Sequence, residues 1–352
     1  MAEPISLEEL QLATRNHGMP LEALRWDITP LGLHYLLTHY DIPQVDADTW
    51  RLEVDGRVQR PLSLSLDDLR SRPAVEHAVT MECAGNGRAH VDPHVVSQPW
   101  LLEAVGTARW RGTSVNQLLT YAGLEKEAVE VVFTGLDRGV EGEEEQLYAR
   151  SLSVDEVLAS DAILAYEVND GPLPPQHGFP VRLLVPGWYG MTSVKWLSRI
   201  TVVDIPFDGY QMRHSYRLRE DEDEDGVPLT RMRPRSLMLP PGIPEFLTRS
   251  RIVEAGPCEL SGRAWSGVAE IAGVDVSTDG GESWSDAEVE RDGLGRWAWR
   301  SWTFFWDAQP GEFLLCSRAR DAAGNVQPLH APWNLGGYGN NAVQRIAVTV
   351  TG

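Results

Sequence analysis

Lysine is almost absent from this 352-residue chain, which contains only Lys126 and Lys195. Arginine therefore supplies nearly all of the positive charge, and the 31 basic residues are outnumbered by 51 acidic residues, so that the net charge is -20 at pH 7. We do not expect so acidic a protein to bind nucleic acid or an anionic membrane through its general surface. An anionic ligand must therefore be attracted by a local basic pocket.

Long hydrophobic runs and cysteines are also scarce. No segment reaches the roughly 18 apolar residues that a membrane-spanning helix needs. The first six residues, MAEPIS, lack the basic and apolar regions of a secretory signal peptide. Cys83, Cys258 and Cys316 are too few for a disulfide framework, although Cys258 and Cys316 could face each other across a sandwich. The sequence predicts a cytoplasmic protein with free thiols and no membrane segment.

The chain is long enough for two domains, and its patterns divide it into three parts. Residues 1–29 are polar and are predicted to form a surface arm. In residues 30–232 strand and helix patterns mix without a regular β-α-β period, and the absence of Gly-x-Gly-x-x-Gly after a strand gives no support to a dinucleotide-binding fold. Residues 233–352 show short alternating strands separated by Asp-Gly and Pro-Gly turns, which favours an antiparallel β-sandwich. The predicted fold class is α+β.

Individual elements follow from periodicity and from capping residues. In the central part we predict strands at 50–56, 78–80, 129–133, 181–185 and 199–203, and helices at 65–69, 115–121 and 153–158. In the last part we predict strands at 258–264, 270–277, 296–305 and 312–319. Seven of the 13 tryptophans lie in this last part, where they indicate a core or an oligomer interface.

One cysteine lies in an unusual local setting. Cys83 follows the predicted strand at 78–80 and opens the segment Cys-Ala-Gly-Asn-Gly-Arg, in which the glycines and the asparagine favour a tight loop. The backbone N–H groups of such a loop, together with Arg88, can stabilise a thiolate or an anion. The simplest interpretation of Cys83 alone is a buried thiol, and a second is a Cys–His nucleophile with His90 or His177 as the base.

Two cations occupy positions that call for an anionic partner. Arg182 lies within the apolar run 181–185, and a buried guanidinium requires a carboxylate or a ligand phosphate nearby. Lys195 follows a glycine-rich loop at 186–193, whose small residues allow the backbone to approach an anion. By contrast, His34 and His39 are predicted to lie on opposite faces of a strand, so they cannot jointly bind one metal unless the chain bends. The acidic run at 220–225 is interpreted as a solvated loop.

Five motifs occur in an order that resembles the sulfite oxidase family of molybdenum enzymes. They are Cys-Ala-Gly-Asn at 83–86, His-Gly-Phe-Pro-Val-Arg at 177–182, Val-Lys-Trp-Leu at 194–197, Ala-Trp-Ser-Gly at 264–267, and Asn-Val-Gln-Pro with Pro-Trp-Asn-Leu within 325–335. The resemblance extends from about residue 30 to the end. It implies a mixed α/β molybdopterin-binding catalytic domain at 30–232 and an immunoglobulin-like dimerisation domain at 233–352. It also implies one molybdenum-molybdopterin per chain, no haem in this chain and a homodimer.

The resemblance also implies roles for individual residues. Cys83 is similar to the thiolate ligand of molybdenum, because a soft thiolate suits a high-valent metal. Arg88, Trp100 and Tyr216 match positions in and around the substrate pocket. The pterin and its phosphate are implied to contact His39, Asp137, His177, Arg182, Ser193, Val194 and Lys195. The implied reaction is oxygen-atom transfer between the metal centre and a small anionic or sulfur-containing substrate such as sulfite, with an external electron acceptor.

Two substrate arginines of the sulfite-oxidising members are missing here, where the chain has Leu37 and Gly336. Each lost arginine removes charge-assisted hydrogen bonds of about 1.5–3 kcal/mol. Arg213, His214 or the Arg231–Arg235 cluster could compensate. The departures keep a second function open, namely a related molybdenum enzyme that acts on a sulfane or on a neutral S- or N-oxide. A non-catalytic binding module, which would hold little molybdenum or a cofactor that does not turn over, is a third interpretation.

Overall fold

The computed structural model describes residues 5–291 and 293–352. Its α-helices are short, and several begin at serine residues whose side chains accept a backbone N–H, as Ser6 accepts from Glu9 at 3.2 Å. The helices are α1 (Leu7–Arg15), α2 (Leu66–Arg70), α3 (Val115–Ala122), α4 (Val154–Ala159) and α5 (Tyr210–Arg213). No helix in these ranges is both long and apolar enough to cross a membrane.

The first domain contains two main β-sheets. Its strands are β1 (Leu52–Gly56), β2 (Leu62–Leu64), β3 (Ala74–Glu82), β4 (Val105–Ser114), β5 (Glu130–Glu141), β6 (Glu144–Ser153), β7 (Ile163–Val168), β8 (Gly171–Pro172), β9 (Arg182–Leu184), β10 (Leu197–Val203), β11 (Arg217–Leu218) and β12 (Val227–Pro228). One sheet has the order β2-β1-β10-β5-β6, with β1 parallel to β10. The other has the order β3-β4-β7-β8, and β9 also pairs with β7.

The core of the first domain lies between these sheets and α2, α3 and α4. Leu118 of α3, Phe133 of β5, Leu164 of β7 and Leu183 of β9 are all fully buried in one cluster. The Ser65 cap of α2 and the Gly123 terminus of α3 agree with the predicted helices at 65–69 and 115–121. Capping and periodicity are local properties, which is why the sequence predicts these elements well.

The second domain is a two-sheet β-sandwich. Its strands are β13 (Arg235–Met238), β14 (Ile243–Pro244), β15 (Arg251–Glu254), β16 (Gly256–Trp265), β17 (Ile271–Ser277), β18 (Ser285–Asp286), β19 (Glu288–Val289), β20 (Arg300–Ala308), β21 (Gly311–Asp321) and β22 (Gln344–Thr351). The sheets have the orders β13-β16-β20-β19 and β14-β15-β22-β21-β17-β18. Trp302, Leu315 and Val348 belong to the core between them. The predicted antiparallel pattern has one exception, because β15 and β22 are parallel.

The described part of the predicted arm at 1–29, residues 5–29, is not a surface arm, and that prediction is wrong. Met19 and Ala23 are fully buried in a cluster with Trp265 and Trp299 of the second domain. In α1, Glu9 is fully buried, and its carboxylate lies 3.0 Å from His94 Nε2. The polar composition was misleading because a few apolar residues, spaced irregularly through two 3₁₀ turns, are sufficient to dock this segment.

The predicted strand around His34 and His39 is also absent. Residues 31–33 form a 3₁₀ turn, and the chain continues to Pro43 without regular structure apart from an isolated bridge between Leu36 and His17. The two imidazoles therefore do not alternate across a strand. His34 and His39 instead both line a cavity beside Cys83, as described next.

Candidate active site

Cys83 lies where β3, the edge strand of its sheet, ends and a tight loop begins. Its backbone N–H donates to Ala104 O at 2.9 Å, and its own carbonyl accepts from Asn86 N at 3.0 Å. Gly87 has a φ of 90°, a left-handed conformation that favours glycine. A Cβ on Gly85 would meet the Arg88 guanidinium at 2.6 Å, so this position needs the smallest residue. The loop therefore holds a buried thiol against an arginine.

Two cavities meet at Cys83. The first cavity extends toward β9 and the loop before β10, and the second extends toward α1 and α5. The residues common to both linings are Leu37, His39, Cys83, Tyr148 and Tyr216. A ligand in the first cavity and another in the second would therefore approach the same sulfur from different sides.

The structure brings nearly all of the predicted site residues to one of these two cavities. The first cavity is lined by His39, Asp137, His177, Arg182, Ser193 and Lys195, together with Cys83. The second is lined by Arg88, Trp100 and Tyr216, again with Cys83. Val194 is the exception, because its side chain is buried in the core of the first domain and its backbone carbonyl accepts from Leu183 N at 2.8 Å.

Arg182 is a buried cation held by backbone carbonyls. Its guanidinium donates to Ser193 O at 2.9 Å and to His177 O at 3.2 Å, and its Cζ lies 5.1 Å from the centre of a Trp110 ring. In residues 5–291 and 293–352 it forms no ion pair with a carboxylate. Burial lowers the pKa of Arg182 to about 10. Of the two predicted partners, a carboxylate is thus excluded within the described ranges and an anionic ligand remains.

Lys195 lies close to Arg182 in the first cavity and is held in the same way. Its Nζ donates to Leu37 O at 2.9 Å and to Gln176 O at 3.0 Å. Burial lowers the pKa of Lys195 and raises the pKa of Asp137, whose Oδ1 is buried without a hydrogen-bond partner. Both groups are therefore poised to interact with a further polar ligand.

Three histidines complete the first cavity, of which His34 and His177 are buried and His39 is half-buried. Burial lowers the pKa of His34 to about 4, of His39 to about 3 and of His177 to about 2, so all three are neutral at pH 7. His34 Nδ1 lies 3.1 Å from Tyr35 O, which leaves Nε2 buried without a partner. His39 Nε2 lies 2.6 Å from the Tyr216 hydroxyl. A neutral imidazole has one donor and one acceptor, so His34 keeps its Nε2 for a heterocyclic ligand.

The second cavity presents Arg88, Trp100 and Tyr216 to the sulfur. Arg88 Nε donates to Gly336 O at 2.9 Å and its Nη1 donates to Gln98 O at 3.2 Å. Tyr216 has a φ of 56°, a strained conformation for a tyrosine. Burial raises the pKa of the Cys83 thiol, against the opposing influence of the Gly85 N–H, Arg88 and the Trp100 indole. A raised pKa argues against the Cys–His nucleophile, which requires a lowered one, and neither His90 nor His177 is among the groups that shift it.

The two positions that lack the family arginines have other roles. Leu37 lines both cavities. Gly336 holds Arg88 through its carbonyl, and a Cβ at this position would collide with the Tyr338 ring. The chain therefore uses the backbone at 336 to fix one arginine and has no space there for the side chain of another.

Some residues predicted to compensate for these arginines lie elsewhere. Arg235 is buried and donates to Glu82 Oε1 at 2.6 Å, and Arg233 donates to Gly339 O at 3.1 Å. Arg213 and His214 line neither cavity. Sequence patterns missed the residues that do surround the second cavity, among them Asn16, Gln98, Tyr148, Gln211 and Tyr338. No local motif marks them, because they come from five separate segments.

A mixed α/β domain with a buried cysteine between two polar cavities, followed by a β-sandwich, defines a two-domain oxidoreductase of the molybdopterin-binding class. The family model described as the oxidoreductase molybdopterin binding domain matches residues 39–211, and that of the Mo-co oxidoreductase dimerisation domain matches residues 229–351. The chain belongs to the sulfite oxidase family.

Individual relatives support this membership. The chain is 38% identical over 337 residues to sulfite oxidase of Gallus gallus, covering 90% of this chain and 72% of the relative. It is 37% identical over 347 residues to the mitochondrial sulfite oxidase of Rattus norvegicus, covering 92% of this chain and 62% of that protein. The structure of the sulfane dehydrogenase SoxCD from Paracoccus pantotrophus matches with a TM-score of 0.81 and 27% identity, covering 95% of this chain and 86% of that one.

The first cavity fits the cofactor of this family. Molybdopterin combines a heterocycle rich in nitrogen and oxygen with a phosphate. The cavity offers two cations that lack an ion pair within the described ranges, the buried Arg182 and the half-buried Lys195. It also offers the unpartnered atoms Asp137 Oδ1 and His34 Nε2. Within the same ranges, no three His, Cys, Asp or Glu side chains converge to form a protein-only metal site. A metal at Cys83 would thus depend on a cofactor for its other ligands.

Proposed function

We propose that this protein is a molybdenum-cofactor oxidoreductase that oxidises sulfite or a closely similar sulfur oxyanion. The observation that carries the proposal is the meeting of the two cavities at Cys83. One cavity has the polar groups that a pterin phosphate needs, and the other has an arginine and a tyrosine suited to an oxyanion. A thiolate between them is the expected ligand of a metal that reacts with substrate.

In this proposal the first cavity holds one molybdopterin per chain. Arg182 and Lys195 would bind the phosphate, because their charges are unpaired and their geometry is fixed by backbone carbonyls. Asp137, His34 and His177 would hydrogen-bond the heterocycle, and Ser193 is held in place because its Oγ accepts a hydrogen bond from Val185 N at 3.1 Å. When bound, the cofactor supplies oxygen-atom transfer and accepts two electrons.

The second cavity would hold the substrate. Leu37, one of the two positions that lack a family arginine, lines this cavity, and Gly336, the other, holds Arg88 through its carbonyl. Arg88 and Tyr216 line the same cavity beside Cys83 and offer a guanidinium and a hydroxyl as donors. These donors would stabilise negative charge on the substrate oxygens as the reaction proceeds. Trp100 is buried beside Cys83 and would keep water from the thiolate.

The alternative is a related molybdenum enzyme that acts on a sulfane or on a neutral S- or N-oxide. It is favoured by the absence of arginine at 37 and 336 and by the similarity to a sulfane dehydrogenase structure. Sulfite is preferred here because Arg88 remains in the cavity and because the most similar curated relatives include sulfite oxidases at 37% and 38% identity.

The test combines metal analysis with turnover. Purified full-length protein should contain about one molybdenum per chain and should oxidise sulfite with an artificial electron acceptor, and Cys83→Ser should abolish turnover. The substrate panel is sulfite, thiosulfate as a sulfane, and dimethyl sulfoxide with a reduced donor. A molybdenum-loaded protein that turns over only one of the last two compounds would refute the sulfite assignment. A protein without molybdenum would refute the cofactor assignment.

The oligomeric state, the electron acceptor and the cellular location concern the whole protein. We infer a homodimer formed through the sandwich domain, which matches a dimerisation-domain model, and an immunoglobulin-like class for that sandwich. We also infer that electrons leave to an external acceptor, with no haem in this chain. A cytoplasmic location is supported by the free state of all three cysteines. The chain spans 62% of the length of its mammalian relatives.

A further inference from the structure

Arg150 on β6 is a buried cation that no sequence motif marks. Only 4% of its surface is exposed, its Nη1 donates to Gln211 O, and its Nε has no hydrogen-bond partner. Within residues 5–291 and 293–352 it forms no ion pair with a carboxylate. A buried charge without a counter-ion is unfavourable, so its retention calls for a partner that enters from outside.

Arg150 lies directly behind the wall of the second cavity. Its Cζ is 5.4 Å from the centre of the Tyr216 ring, and Gln211, which accepts its hydrogen bond, also lines the cavity. Tyr148 lies two residues earlier on the same face of β6 and lines both cavities. The Tyr216 ring therefore lies between the Arg150 guanidinium and the second cavity, which Tyr216 lines together with Cys83.

A second arginine, Arg88, lines the cavity itself and contacts the neighbouring tyrosine of the same wall. Arg88 Cζ lies 5.0 Å from the centre of the Tyr338 ring, and the Tyr338 and Tyr216 rings are 5.2 Å apart. The order along the wall is thus Arg88, Tyr338, Tyr216 and Arg150. Both guanidinium groups are bound by backbone carbonyls and not by carboxylates. The nearby carboxylate of Glu141 is engaged by the Tyr40 hydroxyl at 2.6 Å.

We propose that Arg150 is a specificity-determining residue whose charge, acting through Tyr216, favours an oxyanion in the second cavity. This inference rests on the proposed function and refines its substrate class. The low-polarity wall allows the charge to act over a greater distance than it would in water. Arg150 thereby supplies part of the positive potential that arginines at positions 37 and 336 provide in sulfite-oxidising relatives. It is a positioning residue, because its guanidinium lies behind the tyrosine and not against the substrate.

The experiment compares Arg150→Met, which removes the charge at similar length, with Arg150→Lys, which keeps it. Sulfate, an unreactive oxyanion, is titrated into molybdenum-loaded protein by calorimetry, and KM and kcat for sulfite are measured in parallel. We expect Arg150→Met to weaken sulfate binding and to raise KM about tenfold, with a smaller change in kcat. Arg150→Lys should recover most of the loss. Arg111→Met removes an exposed arginine that pairs with Glu167 and should change neither value.

The possible outcomes separate this inference from the proposed function. If wild-type protein binds sulfate but does not oxidise sulfite, the proposed function fails, and the sulfate affinities of the variants still decide the role of Arg150. If Arg150→Met binds sulfate as tightly as wild type, or if the Lys and Met variants lose affinity equally, the inference is overturned. It is also overturned if neither Arg150→Met nor Arg150→Gln retains molybdenum, because Arg150 would then be a structural residue.

Discussion

Arg235 Nη1 donates to Glu82 Oε1 at 2.6 Å and joins the sandwich domain to the residue that precedes Cys83. Both side chains are at most 2% exposed. The other carboxylate oxygen accepts from Trp265 Nε1 at 2.9 Å, and Asn340 Nδ2 donates to Gly87 O at 2.8 Å farther along the same loop. The second domain therefore fixes the cysteine loop as well as forming its own core.

The first prediction concerns this ion pair. Arg235→Met leaves the Glu82 carboxylate buried without its cation and should lower the free energy of unfolding by about 3–5 kcal/mol. The double variant Glu82→Gln with Arg235→Met should recover part of this loss, because no uncompensated charge remains. The measurement is urea-induced unfolding followed by tryptophan fluorescence.

An exposed ion pair serves as the control for that experiment. Arg199 pairs with Asp55 at 2.6 Å on the surface of the first domain, and Arg199→Met should cost less than about 1 kcal/mol. Equal losses for Arg199→Met and Arg235→Met would show that burial of the Glu82 pair has no special consequence.

The second prediction concerns the N-terminal helix. Asn16 Nδ2 donates to Gln98 Oε1 at 2.9 Å, and Gln98 O accepts from Arg88 Nη1 at 3.2 Å, so α1 supports the substrate arginine through one intermediate residue. Asn16→Ala should raise KM for an anionic substrate several-fold, because Arg88 loses its fixed orientation. Molybdenum content should stay unchanged, since Asn16 lines only the second cavity.

Gln11→Ala changes an exposed residue of the same helix and should leave KM unaltered. A fall in molybdenum content that accompanies the Asn16→Ala defect would contradict this assignment, because it would place the effect of α1 on the first cavity or on folding.

Local features of the sequence were sufficient to predict several helices and the main residues of the site. The caps at Ser65 and Ser153 predicted helices, and the ordered motifs predicted that Cys83, Arg182 and Lys195 would lie together. The support for that site was not predictable in the same way. Glu82 and Arg235 are 153 residues apart and Asn16 and Gln98 are 82 apart, and no short-range pattern encodes such pairs. The burial of residues 5–29 also depends on distant partners, because Met19 and Ala23 pack against Trp265 and Trp299 of the second domain. No short-range pattern in these residues predicts that contact.

The third prediction concerns pH. His34 is buried and its pKa falls from about 6.5 in the unfolded chain to about 4 in the folded protein. The unfolded state therefore binds more protons between these values, and the stability contributed by neutral His34 is complete above pH 6.5 and is lost as the pH falls toward 4. Cofactor-free protein should lose about 2 kcal/mol from this residue between pH 7 and pH 5.

His34→Asn removes this titration, so its free energy of unfolding should fall less steeply with decreasing pH than that of wild type. The difference should approach about 1.4 kcal/mol per pH unit between pH 6 and pH 4.5. Parallel slopes for the two proteins in urea unfolding would show that His34 does not contribute to acid sensitivity.

The fourth prediction uses the only two lysines of the chain. Lys195 Nζ is fixed by Leu37 O and Gln176 O in the first cavity, whereas Lys126 is 90% exposed beside Glu127. Lys195→Met should lower the molybdenum content of purified protein at least tenfold, because a buried charge-assisted bond to a phosphate is lost. Lys126→Met should retain the wild-type molybdenum content.

The stability of the cofactor-free variant is the control for this prediction. Because burial lowers the pKa of Lys195, the cofactor-free fold should tolerate the neutral methionine, and the melting temperature of Lys195→Met should change little. A normal molybdenum content in Lys195→Met would remove this lysine from the cofactor site, and a large drop in melting temperature without cofactor would make its role structural.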